Sequence, residues 1–286
     1  AGVAATGKRG MTATAGPGFS LGCEAMSYMS AASLPAVIVD CMRPGPADGE
    51  ILGSQGDYNQ LTKGGGHGDY NTIVLAPYSV QEYADFAPLS FELAEKYNNP
   101  VVVASDGMIA KMMENVELPE RVEPTGRKPW AVDGMNGRGY HNDITTCGDG
   151  PEQWEQFNLN LQAKYAKIRE NEQRWEEINT EDADIIIVAF GSLSRVCLDA
   201  MKLAREQGLK VGMIRPITIW PFPEKAFEKY VGKGKKFFVT ELNAGQMVND
   251  VKLAVNDNAS VEFYGRLGGM TPTPVEICNK ICELYK

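Results

Sequence analysis

The sequence predicts an α/β protein, made of two successive α/β/α domains with mainly parallel sheets. Three observations carry that reading. Short apolar runs rich in β-branched residues recur at Ala36 to Val39, Thr72 to Ala76, Pro100 to Ala104, Asp184 to Phe190 and Lys210 to Ile214, the length and content of strands buried on both faces. Stretches of helical periodicity separate them at the spacing of crossover units. Between Pro119 and Thr146 the composition shifts to glycine, proline and charge, which parts one strand-helix-strand unit from the next. We therefore expect a first domain over residues 1–118, a connector with an amphipathic helix over 119–180, and a second domain over 181–286.

Residues 1–10 read as the end of a helix and a GKRG turn, followed by Met11 to Thr14 as a short strand. Doubly wound domains ordinarily open on a strand, so the first domain is expected to lack its first strand and helix. Thr14, Ala15, Gly16, Pro17 and Gly18 then make a glycine-rich turn before a helix from about Leu21 to Ala32. Such a strand-turn-helix leaves free N–H groups at a helix N-terminus, where an anion or a polar heterocycle can be held. It is neither a Walker A loop nor a GxGxxG fingerprint. A tight turn that needs glycine for positive φ accounts for the same residues equally well.

The stretch from Pro35 to Tyr70 is the one around which the chain is organised. After its opening strand it spends over thirty residues on glycine-rich backbone that suits neither helix nor strand, and long loops of that kind are usually functional. Arg43 stands just past the carboxyl end of the strand, where open α/β sheets bind ligands. Two readings stay open for it: a structural arginine tied to a carboxylate such as Asp40 or Asp48, or a fork that grips a substrate carboxylate bidentately. His67 and Asp69, in GGGHGD, are candidates for the same loop site; a histidine that fixes the turn through Asp69 is the alternative.

Further along, Ser79 is expected to cap a helix through Tyr97 that Pro88 can kink. Trp154, Phe157, Leu161, Tyr165, Ile168, Trp175 and Ile178 lie at helical spacing and predict one helix with a packing face between the domains. The second unit follows: a strand, a helix with Ser194 as its cap and Gly208 at its end, and a strand to Ile214. RPITIWPFP at 215–223 is an extended crossing bounded by prolines. A strand at Phe237 to Thr240, a helix over Gln246 to Val255, a strand at Val261 to Tyr264 and a helix from Pro274 complete the chain.

The net charge of −9 argues against nucleic acid and anionic membrane surfaces as partners. No run approaches the length of a membrane-spanning helix, and the first residues have no apolar signal segment, so the expected address is cytoplasmic. The six cysteines are scattered, read as small buried hydrophobes, and lack the paired spacing of a zinc or iron-sulfur site; no metal ligands are assigned.

Several segments in order, GKRGMTATAGPGFSLGCEAMSYMSAASLPAVIV, then Arg43 with its Gly-Pro, then GDYNQLTKGGGHGDYNTIVLAPYSVQE, RPITIWPFP and ELNAGQM, resemble the α subunit of the 2-oxoacid:ferredoxin oxidoreductases, the branched-chain 2-oxoisovalerate form in particular. The resemblance spans the whole chain. It implies a thiamine-diphosphate pyrimidine-type domain followed by a transketolase C-terminal-like domain. It also implies β, γ and δ partner subunits, the diphosphate's Mg2+ and an iron-sulfur cluster in those partners, and coenzyme A and ferredoxin as co-reactants. Carried over, Thr14 to Gly18 would face the thiamine ring and Arg43 would hold the 2-oxoacid carboxylate.

Two departures matter. Members commonly read R-x-GPSTG-x-PT, whereas here Arg43 is followed by Pro-Gly-Pro-Ala-Asp-Gly-Glu. The lost hydroxyls argue against the pyruvate and 2-oxoglutarate types and for an apolar substrate tail, and leave Asp48 and Glu50 unexplained; a sister activity on pyruvate, 2-oxoglutarate or an aryl 2-oxoacid is the alternative within the family. The family's YPITP-like turn and the glutamate that activates thiamine have no counterpart among these residues, so the chain is expected to be inactive alone. A non-catalytic scaffold subunit is the reading from another class.

Overall fold

The computed structural model describes every residue except Val122, Thr125, Cys147, Asp257 and Lys286. Among the described residues the strands form two five-stranded sheets, each with four parallel strands and one antiparallel edge strand. The first has the order β1 (Met11–Thr14), β2 (Ala36–Met42), β4 (Pro100–Asp106), β3 (Ile73–Leu75), β8 (Thr218–Trp220). The second has the order β10 (Ser260–Gly265), β9 (Lys236–Glu241), β6 (Ile185–Val188), β7 (Val211–Pro216), β5 (Trp175–Ile178). This is the α/β architecture of mainly parallel sheets that the apolar runs predict. Val37 to Val39, Val101 to Val103 and Ile185 to Val188 are almost wholly buried, as runs covered on both faces must be. Each such side chain withdrawn from water contributes about 1.5 to 3 kcal/mol.

Nine α-helices lie among the described residues: α1 (Gly2–Ala5), α2 (Pro17–Ala31), α3 (Tyr58–Thr62), α4 (Val80–Tyr97), α5 (Pro151–Asn171), α6 (Leu193–Glu206), α7 (Lys225–Glu228), α8 (Met247–Val255) and α9 (Pro274–Leu284). Local chemistry sets several ends. Ser79 Oγ accepts the Glu82 N–H at 3.1 Å to open α4, and Asn98 closes it in the left-handed region. Thr273 and Glu276 form a capping box on α9. Pro17 occupies the first turn of α2, so that helix begins directly at the glycine turn rather than near Leu21.

Three expectations are corrected. The helix predicted to run to Ile178 ends at Asn171, and Trp175–Ile178 is strand β5, paired antiparallel with β7. The break is tertiary in origin. Glu172, almost fully buried, accepts from Lys96 Nζ at 2.6 Å, Tyr97 Oη at 2.6 Å and Arg174 Nη2 at 3.0 Å, which turns the chain out of the helix. Second, the crossing at 215–223 is not merely extended: having finished β7, the chain enters the first sheet as β8 against β3. Trp220 packs there edge-on to Tyr165 of α5, with ring centroids 5.8 Å apart. Third, α6 is preceded by Ser192 rather than Ser194, whose Oγ turns back to the Ala189 carbonyl at 3.1 Å. Cys147 lies outside the described residues; the other five cysteines are free thiols, three of them buried.

Candidate active site

β1 and β2 are parallel neighbours, so the chain segments that leave their carboxyl ends emerge side by side. One is the turn Thr14 to Gly18; the other is the loop that begins with Arg43. The half-buried Arg43 side chain lies over the turn, since a Cβ placed on Gly16 would come within 3.3 Å of Arg43 Cγ and Nε. Gly16 also has φ of 46°, so both space and backbone call for glycine there. Arg43 joins no ion pair among the described residues. Its Nη1 donates to the backbone carbonyl of Asp48, not to a carboxylate.

The loop after Arg43 closes on itself. Glu50 N–H donates to the Pro44 carbonyl at 3.3 Å, and Gly49, at φ 52°, is held so tightly that a Cβ would fall 1.6 Å from that carbonyl oxygen. Between turn and loop lies an open cavity of about 560 Å³ walled by Pro17, Leu21, Pro44, Pro46 and Ala47. Arg43 is the one cation and Asp57 the one carboxyl among the described residues that line it. The turn itself uses part of its N–H inventory internally: Gly18 N–H donates to Ala15 O at 3.0 Å and Ser20 N–H to Gly16 O at 3.1 Å. It therefore offers a shaped face more than an anion hole.

Behind the turn sits a pair of acids. Asp40, in β2, is fully buried, and both its carboxyl oxygens and Oδ2 of Asp57 lack a hydrogen-bond donor among the described residues. They face each other, with the Gly16 backbone beside Asp40 and the Arg43 guanidinium beside Asp57. Burial, reinforced by the Asp57 charge, pushes Asp40 up to about 8. Burial also raises Asp57, and the Arg43 charge pulls it part of the way back. Sequence reasoning named Asp40 only as a possible partner of Arg43 and passed over Asp57. The available signal was an acid closing the apolar run AVIVD, which is rarely buried without a purpose.

His67 and Asp69 do not reach Arg43. Both are exposed and line a separate cavity of about 430 Å³ with Glu24, Tyr28 and the stacked pair Trp154 and Phe157, whose centroids are 4.8 Å apart. Their backbones are tied down, Ser27 Oγ donating to His67 O and Gln162 Nε2 to Asp69 O at 2.9 Å. No hydrogen bond joins the two side chains among the described residues.

The second sheet holds the loop from behind through Gln55, which sequence reasoning also missed. Its Nε2 donates to Phe190 O at 2.7 Å, its Oε1 accepts from Leu242 N–H at 2.9 Å, and its carbonyl accepts from Asn243 Nδ2 at 2.7 Å. Next along the chain, Tyr58 Oη donates to Asp250 Oδ2 at 2.6 Å, and Lys63 pairs with the same carboxylate. Positions far apart in sequence thus anchor one end of the cavity.

Comparison with known proteins bears on the family and the fold. Residues 1–179 match the family described as pyruvate flavodoxin/ferredoxin oxidoreductase, thiamine diphosphate-binding, and residues 183–277 match pyruvate:ferredoxin oxidoreductase core domain II. The chain is 46% identical over 284 residues to the ketoisovalerate oxidoreductase subunit VorB of Methanothermobacter marburgensis, covering 99% of this chain and 80% of that one. Among solved structures, 2-oxoglutarate:ferredoxin oxidoreductase from Magnetococcus marinus, with 2-oxoglutarate, coenzyme A and succinyl-CoA bound, superposes with a TM-score of 0.81 at 26% identity. All of this chain is covered in that superposition, but only 55% of that one. A split-gene transketolase, with a TM-score of 0.58 at 15% identity over 99% of this chain and 79% of its own, shares the fold.

Proposed function

The chain belongs to the 2-oxoacid:ferredoxin oxidoreductase family, and from that premise we propose that it is the α subunit of the branched-chain enzyme, acting on 2-oxoisovalerate. The reaction would be oxidative decarboxylation with coenzyme A, giving acyl-CoA, CO2 and reduced ferredoxin. The observation that carries this reading is Arg43 lying across the Gly16 turn, at the mouth of an apolar cavity, with no carboxylate paired to it among the described residues.

The residues present suit half of a thiamine diphosphate site. The turn gives a flat face and the prolines and Leu21 an apolar wall, and the Asp57 carboxyl at that wall suits a heterocycle that carries an amino group. When bound, the cofactor supplies the carbanion and electron-sink chemistry. This chain's residues bind and orient: Thr14, Ala15, Gly16, Pro17 and Gly18 would face the ring, Arg43 would grip the substrate carboxylate bidentately, and the apolar wall would exclude water from the tail. Partner β, γ and δ subunits would contribute the diphosphate's Mg2+ and the iron-sulfur cluster in a cytoplasmic assembly. The structure's own contribution to address is narrower: no helix among the described residues is long and apolar enough to cross a membrane.

The lining favours 2-oxoisovalerate over 2-oxoglutarate. Arg43 is the one cation among the described lining residues, so the second carboxylate of a dicarboxylic substrate would find no partner there. Arg43→Ala in the assembled enzyme should raise the substrate KM about 10- to 100-fold, the worth of a charge-assisted hydrogen-bonded anchor. Unchanged kinetics would mark the chain as a scaffold. A preference for 2-oxoglutarate over 2-oxoisovalerate in competition would overturn the substrate assignment, and turnover by the chain alone would overturn the need for partners.

A further inference from the structure

Among the described residues, Asp40 and Asp57 are the carboxyl groups with buried oxygens that lack a hydrogen-bond partner: both of Asp40 and Oδ2 of Asp57. We propose that Asp40 and Asp57 share one proton, and that this proton sets the net charge of the Arg43 cavity and hence its hold on an anionic substrate. The second half rests on the reading of Arg43 given above.

Two carboxyls in contact and out of water cannot both ionise cheaply, and such pairs titrate as a unit. With one proton between them the pair carries a single negative charge, which Arg43 offsets. Without it, two negative charges face one cation, and the cavity repels a carboxylate. Only Asp57 reaches the cavity wall; Asp40 is sealed behind it, so the pair works as a buried charge reservoir, not as a substrate contact.

The groups around the pair leave it this role. Cys23 faces both acids from α2, and burial raises its thiol. Cys41 and, from α4, Tyr83 face Asp40, and burial raises both of them as well, so all three are neutral in the physiological range. Asp106, which faces Cys41 from the end of β4, is engaged elsewhere: it accepts from Ser192 Oγ and from the Met108 and Ile109 N–H groups at 2.7 and 3.1 Å. Arg43 is the permanent cation the pair meets.

The test uses the assembled enzyme with 2-oxoisovalerate as probe, following KM and kcat from about pH 6 to pH 9 together with infrared spectra of enzyme carrying 13C-labelled aspartate. A carboxylic-acid band should be present at neutral pH, fade as pH rises, and be missing from Asp40→Asn. Over the same range KM should climb about tenfold with little change in kcat, and Asp40→Asn should flatten that climb. Asp57→Asn, which keeps the shape of the pair, serves if the first variant does not fold. Absence of the band at neutral pH overturns the shared proton. A band that titrates while KM keeps the same pH dependence in both variants overturns the control of cavity charge. Failure of the underlying reading looks different: Arg43→Ala would leave KM unmoved while the band persisted.

Discussion

Asp40 and Glu241 invite comparison. Each lies near the carboxyl end of a central parallel strand, one in each sheet, and each is fully buried. Glu241 is surrounded by donors: the N–H groups of Met247 and Val248 at 2.8 and 3.0 Å, the Gln246 N–H, and Asn243 Nδ2 at 2.9 Å. It closes the N-terminus of α8, and although burial raises its pKa, every one of these bonds pulls the other way. Asp40 has another acid in front of it, neither of its oxygens meets a partner at hydrogen-bond geometry, and the Gly16 backbone beside it gives the charge only weak support. Burial is common to both, so burial cannot tell a structural carboxylate from a site carboxylate; the accounting of hydrogen bonds does.

The contrast can be tested by mutation, most severely at Glu241. Glu241→Leu strands three backbone donors and an amide, and should cost about 3 kcal/mol or more by chemical denaturation. A loss near zero would mean that the α8 terminus rearranges and that the donors are not essential. Next comes the loop that carries Arg43. Gly49→Ala puts a Cβ onto the Pro44 carbonyl and requires a φ that alanine adopts at a cost of about 1 to 2 kcal/mol. Because this loop is exposed, the strain should appear as a several-fold rise in substrate KM with only a small change in melting temperature. A large stability loss with normal KM would place the loop in the folding core instead.

Asp40→Asn should act with the opposite sign, raising stability at neutral pH. Asp40 holds a proton in the folded chain that the unfolded chain has released, because its pKa is raised from the ordinary value of 3.8 to about 8. Stability of the native sequence therefore falls as pH rises between those two values, and asparagine removes that slope. The two proteins should converge in acid and differ most above about pH 8. A native stability that climbs over this range would contradict the raised pKa.

Much of the fold was legible because strands buried on both faces announce themselves as unbroken apolar runs, and caps such as Ser79 and the Thr273–Glu276 box are local chemistry. The turn at Thr14 to Gly18 and the position of Arg43 were legible for a related reason: glycine-rich backbone at the carboxyl end of a parallel strand leaves room for a ligand to approach the main chain closely. What was misread involved partners far along the chain. Trp175 and Ile178 fit a helical stripe, and only the ligands of Glu172 and pairing with β7 make them strand. His67 has the composition of a site residue, yet the backbone route of its loop carries it to the other cavity.

The α/β class, the family resemblance and the candidate anchor at Arg43 all rest on residues adjacent in the chain, and the amino-acid order was enough to reveal them. Folding in three dimensions was needed to put β8 in the first sheet, to fasten the loop to the second through Gln55 and Asp250, and to bring Asp40 against Asp57. Those outcomes depend on contacts between segments distant in sequence, where burial and the need to satisfy every polar group select one arrangement and no local pattern records the choice.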